Sequence, residues 1–95
     1  MEKLTNESID ERMRDFTDWS LISEALQRTF RFEGFVEAMA FVGRVADLAE
    51  RHEHYPDIMV RYNKVTLTLT SDEVNGLSGE DFQLAHDIDL LVAPV

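Results

Sequence analysis

The side chains best able to do chemistry gather in one stretch of this sequence. From Glu50 to Asp57 the chain reads Glu-Arg-His-Glu-His-Tyr-Pro-Asp and holds two of its 3 histidines. Imidazole is the side chain that titrates nearest neutrality, so it suits proton transfer. His54, oriented by Glu50, would make an acid–base pair. His52, His54 and Asp57 would instead make a metal site, although His-x-His with one carboxylate is a sparse ligand set. A third reading is a polar helix end, where histidine meets the negative pole of the helix. Spacing alone leaves all three open. His86 falls within a helical pattern and reads as a surface residue. The chain has no Gly-rich phosphate loop, Walker pattern, Gly-x-Ser-x-Gly elbow or aromatic–basic nucleic-acid stripe. With 0 Cys it has no thiolate zinc site and no disulfide framework.

The elements on either side decide how this stretch is held. Phe35 to Arg51 reads as the strongest helix, with Gly34 as its N-cap. Phe35, Ala38, Met39, Val42, Val45, Ala46 and Ala49 form its apolar stripe, widened by Phe41 and Leu48. So broad a stripe in a small domain implies a sheet on one side and a second subunit on the other. This helix is expected to be the most buried element. Pro56 disfavours helix at Tyr55, so the chain there leaves the helix and enters a strand. Asp57 to Ser71 then reads as a hairpin turning at Asn63-Lys64. Val65, Leu67 and Leu69 face the core, and Thr66, Thr68 and Thr70 face outward.

Upstream, Thr5 to about Phe16 reads as a short, polar surface helix capped by Thr5 or Asn6. Trp19-Ser20-Leu21 alternates, Ser23-Glu24 turns, and Leu26, Phe30 and Phe32 share one face of a strand. Arg28 falls on that apolar face and is expected to snorkel or to pair with a carboxylate. Downstream, Asn75-Gly76 closes a loop. Ser78 with Asp81 resembles a capping box for a last helix ending near Leu91. The order is α-β-β-α-β-β-α, an α+β fold with a four-stranded antiparallel sheet and helices on one face. Phe30, Phe35, Val42, Val45, Leu67, Leu69, Leu84 and Ile88 are the expected core.

Residues 1–95 make a single domain. A net charge of −10 repels DNA, RNA and anionic lipid, and favours solubility and a basic protein partner. No apolar run is long enough to span a membrane. The start, MEKLTNESID, lacks the apolar segment of a secretory signal, so a cytoplasmic location is expected.

The Glu50–Asp81 region resembles the pterin-4a-carbinolamine dehydratases. Their hallmark is an acidic residue, three residues, His-His-Pro, an aromatic residue, a later His and then an Asp. Glu50, His54, Pro56, Tyr62 and Asp81 fall at those places. The flanks agree: Trp19, Phe30-x-Phe32, Phe35, Val45-Ala46-x-x-Ala49, Asn63-Lys64-Val65, Gly76-Leu77-Ser78 and Phe82-x-Leu84-Ala85. Two of the three family histidines are replaced, by Tyr55 and Asp72. The resemblance implies dehydration of 4a-hydroxytetrahydropterin to quinonoid dihydropterin, without cofactor or metal. It implies His54, Glu50 and Asp72 as the catalytic set, with Tyr55, Pro56 and Asp81 binding substrate. It also implies a homodimer or homotetramer.

The reaction needs a proton delivered to the leaving hydroxyl and one taken from a ring nitrogen. A phenol is a poor base near neutrality, and an ionised carboxylate is no acid. A rearranged pair would take Asp72 as base and His54 as acid, against the crowding of Glu50, Glu53, Asp57 and Glu73 near one pocket, and weak or absent turnover is expected. The alternative is a non-catalytic interaction module on the same fold, as in RuBisCO assembly factor-like or coactivator-like relatives.

Overall fold

In a computed structural model, which describes residues 1–94, the alternation along Lys64–Leu69 becomes the centre of the sheet. This strand, β4, lies between β2 (Ala25–Arg31) and β3 (Asp57–Arg61), and β1 (Ser20–Ile22) pairs outside β2. The order is β1-β2-β4-β3, antiparallel throughout. Val65, Leu67 and Leu69 are fully buried, each contributing about 1.5–3 kcal/mol relative to exposure. The opposite face is polar. Thr29 and Thr66 hydroxyls lie 2.8 Å apart, and Gln27 donates to Thr68 at 3.1 Å. The helices α1 (Asn6–Met13), α2 (Phe35–His52) and α3 (Gly79–Val92) cover the apolar face.

Arg28 shows how a charge is kept on that apolar face. It stands opposite Leu67 in the ladder, stacks over the Phe30 ring at 4.4 Å and donates to Asp89 at 2.7 Å. The Trp19 indole donates to the same carboxylate at 2.9 Å. Asp89 thereby ties α3 to β2.

Three expectations need correction. The burial stripe of α2 runs through Ala38, Phe41, Val45 and Ala49. Phe41 is its centre because its ring packs between Phe30 at 4.7 Å and Phe32 at 5.0 Å. Phe35, Val36 and Met39 are consequently turned out to solvent, and Val42 is only half-buried. The more deeply buried helix is α3, with five buried residues in 14 against four in 18 for α2. The hairpin turns at Tyr62-Asn63, not Asn63-Lys64. Lys64 pairs with Arg61, which keeps Val60 opposite Val65 on the core face. Tyr62 takes the left-handed conformation the turn demands (φ 52), and Asn63 bonds the Phe32 backbone through both its main chain and its amide.

Candidate functional site

The end of α2 aims the histidine segment. Glu53 adopts a left-handed conformation (φ 50), a common way for a helix to stop. The His54 amide then reaches back to the Ala49 carbonyl at 3.1 Å. This turn drives His54 inward while Tyr55 stays on the surface. Pro56 prevents the helix from resuming and starts the chain toward β3.

His54 is 8% exposed, and its Nε2 lies 2.5 Å from Asp81 Oδ1. Asp81, the third residue of α3, is fully buried. Its other oxygen accepts from the Ser71 hydroxyl at 2.7 Å and from the Ser78 amide at 2.9 Å. The Ser71 and Ser78 hydroxyls are 2.8 Å apart. The carboxylate thus does two jobs. It caps the start of α3, and it fixes the imidazole. With Ser71 and Ser78 occupying Oδ2, Oδ1 accepts the Nε2 proton of His54. That leaves Nδ1 as the nitrogen available to a ligand, since a ring nitrogen's role is set by the bond its neighbour makes.

A cleft of about 230 Å³ opens beside this pair, with His54, Tyr55, Ser71, Asp72, Glu53 and Glu73 among its lining residues. Asp72 begins a single 3-10 turn after β4, Asp72–Val74, and is exposed at the rim. Isolated pairing of Ser71 with Gly76 closes that loop.

The expected catalytic and binding residues are only partly brought together. His54, Tyr55 and Asp72 share the cleft. Glu50 does not line it; this residue is exposed on the last turn of α2, and the carboxylate bonded to His54 is that of Asp81. Asp81 in turn is sealed from the cleft and reaches it through His54 and Ser71, which both line it. Pro56 acts through the chain direction it imposes. Ser71, not singled out by sequence reasoning, is the neutral donor that completes the site. Its only sequence signal is its place immediately before Asp72.

The metal-ligand reading separates as well. His52 turns to Asp87 at 2.8 Å, His54 turns to Asp81, and Asp57 is exposed at the start of β3. Among the described residues no group of three histidines or carboxylates is placed to hold a metal ion. His52 and Asp87 instead border a recess of about 370 Å³ on the helical side, together with the exposed His86.

Comparison with known proteins agrees with this fold. The family model described as "Pterin 4 alpha carbinolamine dehydratase" matches residues 2–91. A protein of Chloroflexus aurantiacus named "Putative pterin-4-alpha-carbinolamine dehydratase" is 46% identical over 89 residues, covering 94% of this chain and 96% of its own length. A Picosynechococcus protein of the same name is 40% identical over 89 residues, covering 94% and 97%. The crystal structure of a transcriptional coactivator/pterin dehydratase from Brucella melitensis superposes with a TM-score of 0.92 at 29% identity, covering 97% of this chain and all of the other. A pterin dehydratase-like protein identified as a RuBisCO assembly factor in the alpha-carboxysome shares the fold, with a TM-score of 0.66 at 22% identity, covering 81% and 89%. Matched along nearly its whole length, across the very turns that bring His54 to Asp81, the chain belongs to the pterin-4-alpha-carbinolamine dehydratase family.

Proposed function

We propose that the His54 cleft binds a 4a-hydroxytetrahydropterin and dehydrates it slowly to quinonoid dihydropterin and water. The observation that carries this reading is the buried His54–Asp81 pair facing a cleft that also holds Asp72. In the reaction the C4a–oxygen bond breaks and the hydroxyl leaves with an added proton as water. The N5 proton is lost, and its bonding electrons form the new C4a–N5 double bond. Protonated His54 delivers the first proton from Nδ1, while Asp81 stabilises the imidazolium through Nε2. Asp72, exposed and acceptor-only when ionised, takes the second. Tyr55 supplies a hydroxyl that donates a hydrogen bond to the ring. Positioned acid and base groups each contribute about 10²–10⁴-fold, and a carboxylate in place of an imidazole reaches only the low end. The test is turnover of enzymatically generated carbinolamine, with His54→Ala as the control that must abolish it.

A second reading has its own observation. Glu53, Asp72 and Glu73 crowd the cleft with carboxylates, a lining that suits a basic protein surface better than a neutral pterin. Structural neighbours named as a coactivator and as a RuBisCO assembly factor support it. Absence of turnover together with absence of pterin binding would favour this reading.

On either reading the protein acts as a homo-oligomer built through α2. Phe35, Val36 and Met39 are 52%, 76% and 41% exposed on one side of a helix whose other side is core. The adjoining Gly43 presents no side chain, and a Cβ at that position would meet nothing within 4 Å, so a second helix can approach closely there. The cysteine-free chain suits a reducing, cytoplasmic setting.

A further inference from the structure

We propose that the open face of the sheet docks an acidic segment of a protein partner, gripped by a row of three cations, Arg31, Lys64 and Arg61. The row is a consequence of register. Arg31 on β2 stands directly opposite Lys64 on β4, and Lys64 stands directly opposite Arg61 on β3. Residues so paired project to one face. By alternation it is the face of Thr29, Thr66 and Met59, away from the helices. All three cations are exposed. Strands lie about 4.8 Å apart, so the two arginines are about 10 Å apart at the backbone with the lysine between them. Among the described residues none of the three has a carboxylate within ion-pair distance.

This is an unfavourable way to build a sheet. Like charges directly opposite on neighbouring strands destabilise it. The chain carries 19 Asp+Glu against 9 Lys+Arg, so a face assembled without selection would sooner present acids. The carboxylate of this face, Asp57, sits in the row of Thr68, toward the other end of β4. Between the two lies an uncharged band of Thr29, Thr66 and Met59. A positive strip therefore borders a neutral band on an otherwise acidic body.

The shape of the face selects the occupant. A small anion needs a concave site, and the recess of about 490 Å³ beside the row is lined by residues 61–64 of the hairpin tip alone. A nucleic acid spreads its phosphates past the row onto a body of net charge −10 and is repelled. A short acidic segment keeps two or three carboxylates within the span of the row. Each arginine fork can take one of them bidentately. Lys64 and Leu69 open and close β4, so the row lies about 17 Å from the His54 end of the strand. Docking there leaves the cleft open.

The test uses fluorescence anisotropy with a labelled hexaglutamate peptide at about 0.15 M salt, where exposed charges beyond about 8 Å are screened. Saturable binding is expected. Arg31→Gln/Arg61→Gln/Lys64→Gln should weaken it by at least about tenfold and at the same time raise Tm, because the like-charge contacts are gone. A control of equal charge, Arg14→Gln/Arg44→Gln/Arg51→Gln, should bind within about twofold of wild type. The proposal is overturned by absence of saturable binding, by equal loss in both triple variants, or by tripolyphosphate or a single-stranded oligonucleotide occupying the row more tightly than the peptide. It is equally overturned if the row variant loses self-association in light scattering, since the row would then be a contact between copies.

Discussion

Asp81→Asn is the substitution that most sharply separates a positioning carboxylate from a merely buried one. The change keeps shape and removes charge. The asparagine oxygen can still accept from the Ser78 amide and the Ser71 hydroxyl, now at 2.9 and 2.7 Å. Its amide N–H would then face the Nε2 proton of His54 across a gap of 2.5 Å. One charge-assisted bond, contributing about 1.5–3 kcal/mol, is lost, and two donors are left facing each other, costing about 1–3 kcal/mol. A domain of this length has only about 5–14 kcal/mol in all. Urea unfolding should show a lower midpoint with an unchanged m-value, and Tm should fall by about 12 °C or more. The double variant His54→Gln/Asp81→Asn should lose clearly less than the sum of the singles, because the two changes remove one interaction. A loss below about 1 kcal/mol for Asp81→Asn, with the Nε2 proton of His54 still in place by ¹⁵N NMR, would refute the proposed orientation.

Other outcomes follow from the packing. Ser78→Ala should cost about 1 kcal/mol in urea titration, the scale of losing a helix N-cap side chain; the Ser71 hydroxyl loses its 2.8 Å contact but keeps its bond to Asp81. Leu67→Ala, at a fully buried position of the central strand, should cost about 2–5 kcal/mol. Val36→Glu, at the most exposed apolar residue of α2, should leave secondary structure intact by circular dichroism and shift light scattering to a monomer of 11.0 kDa. Wild type already at that mass would remove the case for association through this helix.

What the sequence reveals most plainly is what neighbours in the chain decide. The alternation of Val65, Leu67 and Leu69 against three threonines admits one register, because a slip of one residue would expose every apolar side chain. The Ser78–Asp81 spacing marks the start of α3, since a helix leaves its first amides without partners. Arg28 pairs with a carboxylate, as an arginine on an apolar face must. Contacts made across the fold are harder to read. Periodicity gives α2 an apolar arc too wide to show which part meets the sheet. The answer lies in Phe30 and Phe32, which take Phe41 between them and leave Phe35 outside.

The site shows the same division. His54, Tyr55 and Asp72 are legible by their place in the family pattern. Glu50, one turn away from His54 along the chain, looks like its natural partner. The partner is Asp81, 27 residues on, brought there by a loop whose turn at Asn75-Gly76 is legible in the sequence but whose destination is not. One acid both caps α3 and orients the imidazole, so its capping role conceals its second one.

On the proposed function, the His54–Asp81 pair is an intact half of a dehydratase site whose proton-transfer partners have been replaced. Turnover of enzymatically generated carbinolamine by wild type, by Tyr55→His/Asp72→His, and by the same double variant with His54→Ala decides whether this is so. Wild type should turn over slowly, the double variant should gain at least about 10²-fold, and that gain should be lost without His54. A double variant that binds pterin yet turns over no faster than wild type would contradict it.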